Sequence, residues 1–116
     1  MDKDLMRGSI DILLLSLIAK KDTYGYEIVK DLREYSNEIY NMSEGTLYPA
    51  LKRLEKKNWI ESYWGDSDTG GRRKYYRITV DGEKELRAKA NEWFQVSDLI
   101  NVCLEGVNWK RNLKST

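Results

Sequence analysis

The chain has 116 residues, of which 41% are hydrophobic and 34% are charged, so it is long enough for one small folded domain and too apolar for a disordered polymer. One cysteine, Cys103, and no histidine exclude an internal disulfide and a tetrahedral zinc site, and also the Ser-His and Cys-His pairs of most nucleophilic enzymes. The formal net charge of +1 favours no class of partner by itself, and we expect no catalytic residues, no cofactor and no metal.

The spacing of apolar residues predicts a first helix over about residues 4–20. This helix has two apolar sides, and in so small a domain two apolar sides need two partners. One side fits the core of its own subunit, and the other requires a second subunit or a ligand. The core side carries Ile10, Leu13, Leu14, Leu17 and Ile18, and the second side carries Leu5, Ile12 and Leu15 beside Gly8 and Ser16.

The apolar run at residues 5–18 does not have the features of a targeting segment. Arg7 and Asp11 interrupt it, no cleavage site of small residues follows, and it is too short to span a bilayer. Because a single cysteine also fits a reducing compartment, we expect a cytoplasmic protein.

A second helix is predicted over residues 24–36, after a polar break at 20–23, and a third helix follows. Ser43 is the expected N-cap of the third helix. Its start is placed at residues 44–46, because Pro49 is tolerated only early in a helix. Leu47, Leu51 and Leu54 form its predicted buried stripe, which leaves Thr46, Lys52, Arg53 and Lys56 facing outward.

Two segments rich in aromatic and β-branched residues, 60–65 and 74–79, predict strands. The segment between them, 66–71, is rich in turn residues and ends in two glycines that are free to take positive φ. We therefore expect a two-stranded hairpin with the basic run Arg72-Arg73-Lys74 next to its tip.

A last helix is predicted from a cap at Thr79 or Asp81 to about residue 105. Apolar residues recur along it at alternating spacings of four and three, which is a heptad seam broken by one polar residue. The tail at 108–116 is polar, and we expect it to fray. The seam consists of Leu86, Ala90, Trp93, Ser97, Ile100, Leu104 and Val107.

Positive charge is concentrated in two short stretches. Residues 52–57 and 72–77 together carry a net charge of +7, so the remaining 104 residues sum to −6. A basic patch on an acidic body is typical of a protein that binds nucleic acid, although either stretch taken alone favours a solvated surface.

The order of helix, helix, helix, strand, basic turn and strand predicts an α+β, mostly α fold: a winged helix-turn-helix followed by a long C-terminal helix. In such a fold the third helix enters the DNA major groove, and the hairpin, or wing, contacts the backbone or the minor groove. For Tyr48 the pattern fits a core aromatic as well as a DNA contact. The candidate DNA contacts are Ser43, Thr46, Tyr48, Lys52 and Arg53 in the helix and Arg72, Arg73 and Lys74 in the wing.

Three motifs resemble those of the PadR family of transcriptional regulators. They are Tyr24-Gly25-Tyr26-Glu27-Ile28, Leu47-Tyr48-Pro49-Ala50-Leu51 with Arg53-Leu54-Glu55, and the wing run at 70–79 with Gly82 after it. The resemblance covers residues 5–105 and implies a winged-helix dimer that represses transcription. It implies a DNA-binding domain at 1–80, a dimerisation helix at 81–107 and a polar tail at 108–116. The short chain is similar to a small subfamily that includes a multidrug-sensing repressor.

Trp93 lies in the middle of the heptad seam, where a coiled coil prefers Leu or Ile. The pattern favours a bulky interface residue, whereas the resemblance implies a stacking plate for planar drugs in a pore at the dimer centre. Because Ser97 and Ala90 depart from the subfamily's pattern, we do not expect a preference for the same cationic drugs. If the first helix of one subunit crosses the last helix of the other, the pore is lined by Leu5, Gly8, Ile12, Leu15, Trp93 and Val96.

The leading hypothesis is a homodimeric repressor that binds double-stranded DNA at a pseudo-palindromic operator and is released by a planar hydrophobic ligand. The alternative is a basic helical module that binds an acidic protein partner and has no preference for duplex DNA.

Overall fold

A computed structural model describes residues 2–67 and 70–109 of the chain. Within these residues five helices and three strands form, which confirms the expected α+β, mostly α fold. The segment at 110–116, most of the predicted polar tail, lies outside the described residues. In chain order the elements are α1 (Lys3–Arg7), α2 (Ile10–Lys20), β1 (Thr23–Tyr24), α3 (Gly25–Tyr35), α4 (Glu44–Lys56), β2 (Ile60–Asp66), β3 (Arg72–Ile78) and α5 (Val80–Leu104).

The prediction of one continuous first helix is wrong, because a turn at Gly8 and Ser9 divides it into α1 and α2. Glycine and serine are weak helix formers. The Ser9 amide donates to the carbonyl oxygen of Met6 at 2.9 Å, three residues back rather than four, which tightens the turn. The short α1 that results contains no buried residue.

The hydrophobic core is shared by α2, α3, α4 and the sheet. Leu15, predicted on the second apolar side of the first helix, is 0% exposed and belongs to this core. The reason is that α2 contacts α4, β3 and α5 of its own subunit, so both of its sides are covered in this region. The core residues are Leu14, Leu15, Leu17, Ile18, Ile28, Leu32, Met42, Leu47, Ala50, Leu51, Leu54, Ile60 and Tyr76.

The sheet has three antiparallel strands in the order β1-β3-β2. The predicted hairpin is confirmed, with Ile60 opposite Ile78 and Asp66 opposite Arg72. The strand β1 was not expected, since the sequence indicated only a polar break before a helix. Two residues are too few to show an alternating pattern, and β1 exists because Thr23 and Tyr24 pair with Tyr76 and Tyr75 of β3.

The last helix begins at a cap that also fastens it to the rest of the fold. Thr79, one of the two predicted caps, accepts a hydrogen bond from the Gly82 amide at 2.9 Å through its hydroxyl oxygen. The same hydroxyl donates to the carbonyl oxygen of Asn58 at 2.7 Å. The start of α5 is therefore held against the turn between α4 and β2.

Beyond its first turns α5 runs away from the core. It has 25 residues, all of them in the described part of the chain, and of these Gly82 is buried. Its C-terminal half leaves a row of large apolar side chains exposed, and the described residues contain no helix both long and apolar enough to cross a membrane. The exposed row consists of Trp93, Phe94, Val96, Leu99, Ile100, Val102 and Leu104.

Candidate nucleic-acid interface and the cleft at Trp93

One side of α4 is polar and solvent-exposed. The opposite side is buried by Leu47, Leu51 and Leu54, as the spacing predicts. Lys52 and Lys56 lie one turn apart on the exposed side, and neither is in a salt bridge within the described part of the chain. The ammonium groups of α4 are therefore available to a negatively charged partner.

Tyr48 is 47% exposed and is not a core residue, so of the two alternatives that the sequence left open the DNA contact stays as the prediction. Its ring leans on the start of α3, where a Cβ added to Gly25 would lie 2.5 Å from the Tyr48 hydroxyl oxygen. α4, α3 and the wing meet here around a shallow cavity of about 320 Å³. This cavity is lined by Tyr24, Gly25, Tyr26, Tyr48, Arg73, Lys74 and Tyr76.

Ser43 and Thr46 lie at the start of α4, on the side next to α1. The Ser43 hydroxyl accepts a hydrogen bond from the Thr46 amide at 3.2 Å, which confirms the predicted N-cap. Both residues border a groove of about 450 Å³ that Lys3 and Arg7 of α1 also line. Because a helix N-terminus carries partial positive charge, these cations and the helix end attract the same kind of partner.

The wing is a closed hairpin with a tight tip. The Ser67 amide donates to the Gly71 carbonyl oxygen at 2.8 Å, and Gly70 has a φ of +96°, which glycine adopts without strain. Alternation along β3 places Arg72 and Lys74 on the sheet face that also carries the buried Tyr76. Both cations are exposed, and neither is in a salt bridge among the described residues.

Arg73 occupies the other face of the wing. Its guanidinium lies over the ring of Tyr24, 4.5 Å from the centroid. Its Nε is buried and has no hydrogen-bond partner within residues 2–67 and 70–109. Arg73 packs against Tyr24 of β1 through this ring contact. Its expected contact with DNA, together with its two neighbours, stays a prediction.

Two other cations of the basic stretches are paired within the protein. Arg77 donates through Nε to Glu61 at 2.7 Å, a bond that raises the pKa of the Arg77 guanidinium. Arg53 forms an ion pair with Asp11 of α2. The basic patch without a carboxylate partner is thus smaller than the sequence indicated, and its centre is Lys52, Lys56, Arg72 and Lys74. Two of these cations also lie near rings, Arg72 5.9 Å from the centroid of Trp64 and Lys74 5.8 Å from that of Tyr76.

Trp93 stands between two clefts where α5 passes the start of α2. Its side chain is 49% exposed, and its ring meets that of Phe94 edge to face at a centroid distance of 5.7 Å. The cleft on one side, of about 450 Å³, is apolar and includes Ile12, Leu13 and Ala90. The other cleft, of about 470 Å³, is lined by Arg7, Gly8, Asp11, Ile12, Arg53, Lys89, Glu92, Trp93 and Val96.

Four of the six residues expected around Trp93 meet at this second cleft, namely Gly8, Ile12, Trp93 itself and Val96. Leu15 does not, because it is buried in the core, and Leu5 is 73% exposed without lining either cleft. None of the charged side chains that line this cleft was among the six expected residues. Asp11 and Glu92 bring carboxylates next to Trp93, although Ser97, one turn after Trp93, indicated a site without one. The spacing of Lys89, Glu92 and Val96 along one face of α5 was the signal for Glu92. Asp11 lies on α2, next to Ile12 in the sequence.

Comparison with known proteins finds relatives over most of the chain. The model of the transcriptional regulator PadR-like family matches residues 14–88. An uncharacterised protein of Lysinibacillus sphaericus, protein X, is 44% identical over 104 residues, which cover 90% of this chain and 95% of that protein. The negative transcriptional regulator PadR of Bacillus subtilis is 27% identical over 73 residues, which cover 63% of this chain but only 40% of that longer protein.

Two solved structures are similar over nearly their whole length. A transcriptional regulator from Clostridium thermocellum is 44% identical with a TM-score of 0.78, and the match covers 85% of this chain and 96% of that one. A PadR-like transcriptional regulator from Bacillus cereus is 32% identical with a TM-score of 0.81, and the match covers 90% of this chain and 100% of that one.

Proposed function

The chain belongs to the PadR-like family of transcriptional regulators, and from that premise we propose that it is a homodimeric repressor whose operator binding is relieved by a planar hydrophobic ligand. The observation that carries the DNA-binding part is the pair of unpaired lysines on the outer side of α4, next to a wing whose Arg72 and Lys74 are also unpaired. Such cations bind phosphates by displacing condensed counterions.

In the proposed complex α4 lies in the major groove and the wing lies along the neighbouring backbone. Lys52, Arg72 and Lys74 contact phosphates, while Tyr48 and the residues at the start of α4 approach base edges. The cap of α4 brings Ser43 and Thr46 close to the DNA. Arg53 and Arg73 were also expected among the DNA contacts. In the proposed complex they stabilise α4 and the wing from within the protein, because their guanidinium groups are engaged with Asp11 and Tyr24.

A second copy of the chain is the proposed partner of α5. A row of seven large apolar side chains on its C-terminal half is exposed, which is more than a monomeric protein ordinarily leaves in water. Three of these residues, Trp93, Ile100 and Leu104, belong to the predicted heptad seam, whose spacing suits helix packing between two copies. Two copies related by a two-fold axis present two α4 helices, which suits a pseudo-palindromic operator with half-sites about one helical turn apart.

Repression is proposed rather than activation because a named relative, PadR of Bacillus subtilis, is a negative regulator. The closer likeness to multidrug-sensing members remains a prediction, and it concerns Trp93. A flat ligand stacked on Trp93 sits between α2 and α5, where it favours one dimer geometry over another. Differential binding to two geometries then changes the spacing of the wings and the affinity for DNA.

The DNA-binding proposal is tested by changing Arg72 and Lys74 together to alanine. A gel shift with the promoter region of the chain's own gene should show weaker binding. The slope of log affinity against log salt should fall by about 3.6, since the proposed dimer loses four phosphate contacts and each removes about 0.9. Arg77→Ala is the matched control, because this arginine belongs to the same strand but is paired with Glu61.

Two outcomes contradict the proposal. The first is binding that does not depend on salt or on the double substitution. The second is promoter binding that an acidic protein abolishes but that random duplex DNA does not reduce. That result instead supports a protein-binding module with an acidic partner.

A further inference from the structure

The charged cleft beside Trp93 has a wall that belongs to the DNA-facing helix. α2 contributes Asp11 and Ile12, and α5 contributes the face with Trp93. The third wall is Arg53, which lies in α4 only one residue after Lys52 of the proposed DNA surface. A molecule in this cleft therefore lies against a side chain of the helix that is proposed to enter the major groove.

The guanidinium of Arg53 is held in the cleft by the carboxylate of Asp11. The two residues are 42 positions apart in the sequence, so their pairing fixes α4 against α2. The side chain of Asp11 is mostly buried and that of Arg53 is about half exposed. One side of the guanidinium is therefore covered by Asp11, while the rest of the group is open to the cleft.

We propose that the Arg53–Asp11 ion pair couples this cleft to α4. A planar ligand that stacks on Trp93 and carries a hydrogen-bond-accepting edge competes with Asp11 for the guanidinium, because carboxylates and similar acceptors bind arginine in a bidentate manner. The inference rests on the proposed function, which places a planar ligand at Trp93. It adds a route by which the ligand acts on α4 within one subunit, besides any change in the spacing of the two subunits.

Thermodynamic linkage gives the expected behaviour of a variant that lacks the carboxylate. If the pair holds α4 in its DNA-binding position, Asp11→Asn weakens DNA binding without any ligand. It also removes the competitor for Arg53, so the ligand binds more tightly. A residue with a purely structural role would weaken DNA binding but would not strengthen ligand binding.

The experiment uses 2-naphthoate as the probe, with 2-methylnaphthalene as an analogue that has the same rings but no acceptor. In the wild type, 2-naphthoate should quench Trp fluorescence and raise the Kd for promoter DNA about tenfold, within the usual range of allosteric coupling. 2-Methylnaphthalene should quench but weaken DNA binding less than 2-naphthoate does, because without an acceptor it can act only through the spacing of the two subunits. Asp11→Asn should bind DNA as weakly as the liganded wild type, bind 2-naphthoate more tightly, and show little further response to it.

The matched control is Glu61→Gln, which removes the carboxylate partner of Arg77 on the sheet and leaves the cleft intact. It should respond to 2-naphthoate as the wild type does. A full wild-type response in Asp11→Asn overturns the coupling and leaves the proposed function standing, as does equal weakening of DNA binding by both probes. A wild type that binds DNA but ignores 2-naphthoate, or a Trp93→Ala variant quenched as strongly as the wild type, overturns the ligand site and the coupling with it.

Discussion

At the scale of single residues, the same residue type has different roles according to the group that lies beside it. Three arginines of the basic stretches are engaged within the protein: Arg53 with Asp11, Arg73 with the ring of Tyr24 and Arg77 with Glu61. Arg72 and Lys52 have no carboxylate partner among the described residues. Charge counted along the sequence therefore overstates the surface that DNA can use, because an engaged cation releases fewer counterions.

Gly82 shows a steric requirement at a single position. A Cβ added there would lie 1.9 Å from the carbonyl oxygen of Trp59, a backbone atom that cannot turn aside. We expect Gly82→Ala to lower the free energy of unfolding by about 1–3 kcal/mol, the usual effect of an overpacked site. Urea denaturation at fixed protein concentration measures the change.

Gly8→Ala is the matched control for that prediction. No atom lies within 4 Å of a Cβ at Gly8, and its φ of −73° is open to alanine. We expect a change between zero and a gain of about 1 kcal/mol, because alanine restricts the unfolded chain. Equal destabilisation by the two substitutions would show that loss of glycine, rather than the contact with Trp59, is responsible.

At the scale of elements, the ends of the helices determine where the functional surfaces lie. α3 begins at Gly25, whose missing side chain lets Tyr48 reach the wing cavity. α4 begins at the Ser43 cap, which lies in the groove beside α1. α5 begins at Thr79, which joins it to the end of α4. Two hydrogen bonds of one hydroxyl group therefore help to fix the start of the long helix.

The cap at Thr79 gives the prediction at this scale. Thr79→Ala leaves the Gly82 amide and the Asn58 carbonyl without their side-chain partner, so we expect a loss of about 1 kcal/mol in the free energy of unfolding. Thr79→Ser keeps the hydroxyl group and should retain most of that stability. Circular dichroism during urea titration compares the two variants, and equal losses would contradict the role of the hydroxyl group.

At the scale of the whole molecule, the described chain is elongated, with extents of 56 × 29 × 21 Å, because α5 extends past the core that holds its first turns. An exposed helix with an apolar row gains stability only when something covers the row. A second copy is the proposed cover, and the clefts at Trp93 lie beside this row, so the ligand site and the dimer would form together.

The dimer proposal is tested with Ile100→Glu in the middle of the exposed row. A charge buried in an apolar interface should weaken association by about 3 kcal/mol, or roughly a hundredfold in Kd. Asn91→Glu adds the same charge on the side of α5 opposite Ile100, in line with Asp98, and should leave association unchanged. Sedimentation at micromolar concentration measures both variants, and a wild type that is folded and monomeric there would contradict the proposal.

The sequence predicted most of the fold because helices, hairpins and caps are specified by residues close together in the chain. The stripe of Leu47, Leu51 and Leu54 indicated α4, and two glycines before a basic run indicated the wing. The candidate site was predicted less completely. Four of the six residues predicted around Trp93 line one cleft, but Leu15 is buried in the core, and Asp11 and Glu92 were not included in the prediction.

By itself, then, the sequence determined the elements and their order, because these depend on contacts between residues a few positions apart. It also determined the presence of cations in α4 and the wing, which is read directly from the residues. Only the tertiary structure decided which cations have a carboxylate partner, why β1 exists, and that Arg53 of α4 meets Asp11 beside Trp93. The physical reason is distance along the chain. An ion pair across 42 residues forms because three helices pack around one core, and no local pattern of residues records where that packing brings two side chains together.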